Sequence, residues 1–193
     1  METSVMQIKQ TTNAAGATQP ADSTAAEFRI YCGTYGKYAG GSIKGAWLDL
    51  SQYADRDELI AACKELHADE EDPELMFQDF EGFPRAWYCE SSAPDDILWE
   101  WMEMREDERD AFGVYANHMG GDITRADFRE AYQGTADSEA EFAETLADET
   151  GAVPKNLPSW IVIDWQGSWN SGLRFDYWAE RGAGGELHFF RDI

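Results

Sequence analysis

Residues 94–110 read Pro-Asp-Asp-Ile-Leu-Trp-Glu-Trp-Met-Glu-Met-Arg-Glu-Asp-Glu-Arg-Asp, which combines a helix start, an apolar stripe and a row of acids. Proline followed by two aspartates is typical of a helix N-terminus, because proline needs no N–H partner there and carboxylates complement the helix dipole. Ile97, Trp101 and Met104 then lie on one side of the predicted helix. The stretch predicts a helical unit in the middle of the chain.

A row of carboxylates lies beside this apolar stripe. Its members are spaced i, i+4, i+7, i+11 and i+14 and are Asp96, Glu100, Glu103, Asp107 and Asp110. The spacing places them on one face of an α-helix, provided that the helix runs unbroken. Such a row would span roughly 21 Å, with one charge per about 5 Å, against one per roughly 3.4 Å along a strand of B-DNA. A second row of this kind comprises Asp137, Glu141, Glu144 and Asp148.

The net charge is concentrated in the middle of the chain. Residues 49–150 hold 30 Asp and Glu against 7 Lys and Arg, so the whole formal charge of −23 belongs to that segment and the flanks are neutral. This charge repels nucleic acid and anionic membranes and favours a basic partner or cations. Salt adaptation would spread acids over every exposed face. The uneven distribution of charge along the chain therefore favours a specific electropositive partner. The alternative interpretation is a merely solvated acidic surface.

Composition indicates a folded protein. Hydrophobic residues make up 43% of the 193 residues and aromatic residues 13%, which suits a packed core and not a disordered acidic tail. No apolar run reaches the about 18 residues of a membrane-spanning helix. Residues 1–26 have almost no large apolar side chains and no signal-peptide core, so we expect a disordered leader. Three cysteines without a CxxC pair predict reduced thiols and a cytoplasmic protein.

The order of the predicted elements indicates an α+β fold made of three small domains. The first, an N-terminal α+β domain at 27–90, has predicted strands at 28–32, 43–50 and 74–80 and a helix over 51–66. The second, at 91–133, is a bundle of short helices, including one over 111–118 and one that Asp122 or Thr124 caps. The third, an α+β domain at 134–193, has predicted helices at 138–149 and 170–178 and strands at 160–165 and 187–191. A capping box of Ser138 and Glu141 opens the first of these helices, and Gly151 ends it.

Recognisable catalytic chemistry is absent from the sequence. The motifs GxxxxGK[ST], GxSxG and HExxH do not occur, and carboxylate pairs are too numerous for two to be selected as acid and base. Cys63 and His67, at i and i+4, offer half of a metal site that no nearby pair completes. The acidic loop 69–72 lacks the glycine and alternating ligands of an EF-hand. We predict a binding protein that is not an enzyme, and a metal-dependent enzyme around Cys63 and His67 is the rival.

Several segments resemble the ArdA family of antirestriction proteins. Residues 29–50, with a tyrosine-containing strand, a glycine loop and Gly-Ala-Trp-Leu-Asp, resemble its first hairpin. Residues 77–83, Phe-Gln-Asp-Phe-Glu-Gly-Phe, are similar to its aromatic segment. Residues 132–146 resemble its Y-x-G…[YF]A-x-x-L segment, and its C-terminal strands resemble 160–164 and 189–191. The resemblance runs in order over residues 28–193, and the departures are the tryptophan-rich 160–178 and the glycine-rich 181–185.

The resemblance implies three small domains in an elongated chain that forms a homodimer through its C-terminal domain. It implies a DNA mimic that occupies the DNA-binding groove of type I restriction–modification enzymes and blocks cleavage of incoming unmodified DNA, with no catalytic residues, metal or cofactor. The resemblance therefore implies that the chain binds neither nucleic acid nor membranes. The carboxylates predicted to imitate phosphates are Asp69, Glu70, Glu71, Asp72, Asp96, Glu100, Glu103, Asp107, Asp110, Asp137, Glu141, Glu144 and Asp148. An acidic decoy or chaperone for another basic DNA-binding protein is the alternative.

Overall fold

A computed structural model describes residues 27–193 of the chain, and the predicted disordered leader lies outside the described residues. The described part contains helices and two antiparallel three-stranded sheets, which confirms the α+β fold class. Within this part of the chain, every helix is too short or too polar to cross a membrane.

The first sheet is built from the N-terminal third of the chain. Strands β1 (Arg29–Thr34), β2 (Ala46–Asp49) and β3 (Leu75–Glu81) pair antiparallel in the order β2-β1-β3. The predicted strands are therefore present, with shifted ends. A short helix α1 (Tyr35–Ala39) lies in the predicted glycine loop, and α2 (Arg56–Leu66) begins five residues later than predicted. It begins there because the side chain of Asp55 accepts a hydrogen bond from the backbone N–H of Glu58.

The expected unbroken acidic helix is two helices. Helix α3 spans Ile97–Met102 and α4 spans Glu106–Met119, with an extended residue, Arg105, between them. The indole N–H of Trp101 donates a 2.7 Å hydrogen bond to the carbonyl of Arg109 in α4. Trp101 and Met104 are both buried, and the turn lets each of them enter the core. Three acids in the first turn of α4 complement the dipole of a new helix.

Helix caps fix the next elements where the sequence predicts them. Helix α5 (Arg125–Ala131) begins with a capping box between Thr124 and Asp127. Helix α6 (Glu139–Thr150) begins at the Ser138 cap and ends at Gly151, which adopts a left-handed conformation. Strands β4 (Tyr132–Thr135), β5 (Tyr177–Arg181) and β6 (Leu187–Arg191) form the second sheet in the order β4-β6-β5.

The predicted strand at 160–165 is wrong. The backbone N–H of Ile161 donates to the carbonyl of Pro158 in a turn, and Asp164 caps helix α7 (Trp165–Ser171) by accepting from Gly167. A run of strand-forming residues becomes a strand only when it finds a partner, and here the turn and the cap take its ends. The predicted helix at 170–178 therefore lies earlier, as α7, and its last two residues belong to β5.

The main hydrophobic core draws on all three predicted domains. It includes Ile30 of β1, Phe112 of α4, Phe128 of α5 and Phe190 of β6. Tyr115 of α4 stacks on Phe190 with 5.5 Å between ring centroids. A smaller cluster joins Phe142, Trp169 and Phe189 beneath the second sheet. The core is thus continuous across the predicted boundaries at 90/91 and 133/134, and the division into three domains stays a prediction.

We expect Phe190→Ala to lower the free energy of unfolding by about 3–5 kcal/mol, because a fully buried ring is replaced by a cavity. Phe175→Ala is the matched control, since that ring is 71% exposed, and it should change the free energy by less than about 1 kcal/mol. Urea unfolding followed by circular dichroism measures both values. Equal losses in the two variants would contradict the assigned core.

Candidate partner-binding surface

The first acidic row is divided between α3 and α4, and its members differ in what they contact. The carboxylates of Glu100 and Glu103 are exposed and make no hydrogen bond or ion pair with any described residue. Asp96 accepts a 3.1 Å hydrogen bond from the backbone N–H of Arg56. Asp107 pairs at 2.6 Å with the exposed guanidinium of Arg105. These four carboxylates face solvent, and Glu100 and Glu103 present uncompensated charge.

Asp110, the last member of that row, makes its contacts within the fold. Its side chain is only 20% exposed. Its oxygens accept hydrogen bonds from the backbone N–H groups of Ala183 at 2.8 Å and Gly184 at 3.4 Å, and Oδ2 lies 3.2 Å from Nε2 of His188. A carboxylate with this many donors from one turn holds that turn in place.

The acidic loop at 69–72 is half neutralised by lysines from the glycine-rich segment after β1. Asp69 pairs with Lys37 at 2.8 Å and with Lys44 at 3.2 Å, and these two ammonium groups lower the pKa of Asp69 to about 2. Glu70 pairs with Lys37 at 2.9 Å, and hydrogen bonds from Lys37 and Thr34 lower its pKa. Only the second half of the loop, Glu71 and Asp72, is exposed without a partner among the described residues.

The second row begins just before α6 and continues along it. Asp137 precedes the Ser138 cap, and its backbone N–H donates a 2.7 Å hydrogen bond to Glu141. Glu141 thus accepts the second hydrogen bond of the predicted capping box from the N–H of Asp137, whereas a regular capping box would use the N–H of Ser138. Glu144 and Asp148 are exposed and have no partner in residues 27–193. Phe142 and Ala143 are buried on the opposite face of the helix, so the core fixes the direction of these carboxylates.

Glu186, which sequence reasoning missed, joins the two rows. It lies in the turn between β5 and β6 and lines three neighbouring clefts. Asp107 lines the first cleft, of about 600 Å³, and the second, of about 460 Å³. Asp137 and Glu141 line the third, of about 550 Å³. Acidic side chains therefore line neighbouring clefts from the start of α4, across the β5–β6 turn, to the start of α6. Arginine side chains line the same clefts, namely Arg105, Arg109, Arg129 and Arg181.

The pKa of Tyr132 reflects the same group of neighbouring carboxylates. Burial raises the pKa of its hydroxyl, and the carboxylates of Glu186, Asp107 and Asp110 raise it further. These carboxylates come from α4 and from the β5–β6 turn, so side chains remote in sequence share one negative field. The only sequence signal for Glu186 is a lone acid in Arg-Gly-Ala-Gly-Gly-Glu, at 181–186.

The Cys63–His67 pair does not form half of a metal site. All three cysteines are free, and Cys63 is fully buried in the main core. Nε2 of His67 lies 3.3 Å from the carbonyl of Cys32, and its Nδ1 lies 2.7 Å from Nζ of Lys37. Donor atoms of His67, Asp69 and Glu70 come within 4.8 Å of one another. Lys37 contacts all three, so the ammonium already occupies the place that a cation would take.

We expect Asp69 to titrate near pH 2, well below its ordinary 3.8. Because its folded pKa is lowered, the contribution of this carboxylate to stability is present above about pH 4 and is lost as the pH falls through 2. Lys37→Met should return the midpoint towards 3.8, and Lys155→Met should leave it unchanged. Carboxyl ¹³C shifts followed by NMR measure the midpoint. An unshifted midpoint in the parent chain would show that the two lysines do not hold Asp69.

Comparison with known families gives one match. The family model described as antirestriction protein (ArdA) matches residues 30–173. The match takes in the first sheet, helices α2 to α6 and both acidic rows, and it ends before β5, the 182–186 turn and β6. No curated protein matches the chain.

Proposed function

The chain belongs to the ArdA family of antirestriction proteins, and we propose that it acts as a mimic of B-form DNA. It occupies the DNA-binding groove of type I restriction–modification enzymes and blocks cleavage of incoming unmodified DNA. The observation that supports this proposal best is the set of acidic side chains that line neighbouring clefts around Glu186, together with exposed, unpaired carboxylates on α3 to α6 such as Glu103 and Glu144.

The mechanism follows from how proteins bind DNA. Much of the affinity of a DNA-binding groove comes from Lys and Arg side chains that neutralise phosphates, and these contacts carry no base sequence. Carboxylates held at a comparable spacing satisfy the same side chains. Two chains of −23 would carry −46, which is the charge of roughly 23 base pairs. The inhibitor competes by charge and shape, and it needs no chemical step.

The contacts of the carboxylates suggest which of them take part. Lysines already neutralise Asp69 and Glu70, and Asp110 holds the 182–186 turn. We therefore assign the largest contributions to exposed carboxylates without an internal partner, namely Glu71, Asp72, Glu100, Glu103, Asp137, Glu144 and Asp148. Asp96, Asp107 and Glu141 can add to this set, since their contacts are with exposed groups.

An exposed apolar segment supports a homodimer. Trp160 is 79% exposed and Val162 is 90% exposed, in the stretch that forms no strand. An apolar cleft of about 550 Å³ lies beside it, lined by Leu146 of α6, by Val153 and Ile163 from the segment between α6 and α7, and by other residues of both helices. Large apolar side chains left in water mark an interaction surface. We propose that two copies bury this segment against each other, in keeping with the C-terminal dimerisation that the family implies.

We expect the double variant Trp160→Ser, Val162→Ser to be monomeric where the parent chain is a dimer, because apolar surface no longer drives association. Ile43→Ser is the control, since Ile43 is 75% exposed but lies in the loop before β2. Sedimentation velocity over a range of concentrations measures both. A double variant that remains a dimer would place the interface elsewhere.

A decoy for another basic DNA-binding protein is the second candidate. The break between α3 and α4 interrupts the regular spacing of the first row, so the surface is not an evenly spaced copy of one phosphate strand. Binding titrations against a purified type I enzyme and against a basic nucleoid protein separate the two candidates. Tighter binding to the nucleoid protein, together with no protection of unmodified phage on a restricting host, would favour the decoy.

We expect the triple variant Glu100→Gln, Glu103→Gln, Glu144→Gln to bind a type I restriction enzyme about 10- to 100-fold more weakly. Each exposed carboxylate contributes about 0–1 kcal/mol, and small terms at separate sites roughly add. The matched control is Asp57→Asn, Glu65→Gln, Glu74→Gln, which removes the same charge from other exposed positions.

Both variants must show a native circular dichroism spectrum. Binding is then measured at two salt concentrations, and phage plating efficiency on a restricting host gives the activity in cells. The parent chain should lose affinity as salt rises. Equal losses in the triple variant and its control would mean that total charge matters and the assigned carboxylates do not.

A further inference from the structure

The turn between β5 and β6 has no large apolar side chain to anchor it. Its sequence is Gly-Ala-Gly-Gly-Glu, at 182–186. Within the turn, the N–H of Gly182 donates to the carbonyl of Glu186 at 2.9 Å, and the N–H of Gly185 donates to the carbonyl of Gly182 at 3.0 Å. Glycine-rich turns are flexible unless other contacts fix them. Arg181 of β5 donates to the carbonyl of Gly185 at 2.9 Å, and the turn receives further contacts from outside the hairpin.

Asp110 supplies those contacts from α4. One carboxylate oxygen accepts from the N–H of Ala183 at 2.8 Å, and the other accepts from Gly184 at 3.4 Å and lies 3.2 Å from His188. The approach is so close that a Cβ on Gly182 would collide with Oδ2 of Asp110. The carboxylate thus fits against the backbone of the turn, and only 20% of the side chain is exposed.

A buried histidine, supported by a tyrosine, holds Asp110. His188 is 1% exposed, and its Nδ1 lies 3.2 Å from the hydroxyl of Tyr132. An ionised carboxylate only accepts hydrogen bonds, so Nε2 of His188 donates to Asp110. Nδ1 makes the second hydrogen bond, with the hydroxyl of Tyr132. The chain of hydrogen bonds joins β4, β6 and α4, and its middle member is shielded from solvent.

We propose that Asp110, supported by His188 and Tyr132, is a positioning residue that holds Glu186 between the two acidic rows, and that it does not itself imitate a phosphate. Glu186 lines the clefts on both sides of the turn, so a displaced turn would interrupt the surface between Asp107 and Asp137. We call the contacts of Asp110 with the 182–186 turn the clamp. The effect of the clamp on binding rests on the proposed function, whereas the clamp itself does not.

Two substitutions at position 110 separate positioning from charge. Asp110→Ala removes every acceptor, and Asp110→Asn removes the same charge but keeps one oxygen for the N–H of Ala183. We expect Asp110→Ala to bind a type I enzyme about tenfold more weakly and Asp110→Asn to stay within about threefold of the parent chain. Glu65→Ala and Glu65→Gln are the charge controls, and neither should differ from the parent. Equal losses for Asp110→Ala and Asp110→Asn would identify Asp110 as a phosphate mimic and overturn the proposal.

A double variant tests whether Asp110 acts through Glu186. If it does, Asp110→Ala combined with Glu186→Gln binds no more weakly than Asp110→Ala alone, since the displaced turn has already lost its carboxylate. Losses that add would show that the two residues act independently, and the proposal would fail.

Amide hydrogen exchange tests the clamp without any partner. In Asp110→Ala the N–H groups of Ala183 and Gly184 should exchange at least about tenfold faster, while Glu186→Gln leaves them unchanged. If Asp110→Ala does not fold, Asp110→Asn still gives an answer, because faster exchange is then expected at Gly184 and not at Ala183. Unchanged exchange in the folded variants would overturn the clamp. A parent chain that inhibits no type I enzyme would instead overturn the proposed function, and the exchange result would stand.

Discussion

Packing around helix α4 is the interaction on which the rest of the structure depends. Phe112 contacts Phe128 with 4.9 Å between ring centroids and Trp87 with 5.6 Å, and Tyr115 reaches Phe190 in the second sheet. The first turn of the same helix carries three consecutive acids, at 106–108. Burial of this aromatic face offsets the repulsion among the carboxylates, since apolar area contributes roughly 25 cal/mol per Å². One helix therefore links the core to the acidic surface.

The pairing of charges is selective, and this selectivity says more than the total of −23. Lys37 is shared by Asp69 and Glu70, and Arg125 pairs with Glu108 at 2.7 Å, whereas Glu103 and Glu144 have no partner among the described residues. Unpaired acids on one surface repel one another and contribute nothing to folding. Since the chain uses its cations elsewhere, stability does not explain the free carboxylates, whereas the proposed binding to a basic partner does.

Features fixed by local chemistry could be predicted from the sequence, and features fixed by distant contacts could not. Thr124, Ser138 and Gly151 cap their helices as predicted, because a cap involves neighbours within four residues. Across the break before α4, the indole of Trp101 donates a hydrogen bond to the carbonyl of Arg109, a contact that a row of acids does not reveal. The neutralisation of the 69–72 loop and the contact of the 182–186 turn with α4 join residues far apart in sequence, so spacing along the chain gave no sign of them.

The break between α3 and α4 also bears on the proposed imitation of DNA by the acidic surface. A straight helix keeps carboxylates at its regular spacing along one line, whereas the phosphates of a duplex wind around an axis. Short helices joined by turns, with a hairpin between them, allow carboxylates to lie off a single straight line. Packing of each element against the core fixes the positions of these carboxylates. This requires every joint to be rigid, because the advantage of a mimic is lost if binding must first order its charges. Asp110 meets this requirement at the joint between the two rows, where a glycine-rich turn alone would be too flexible.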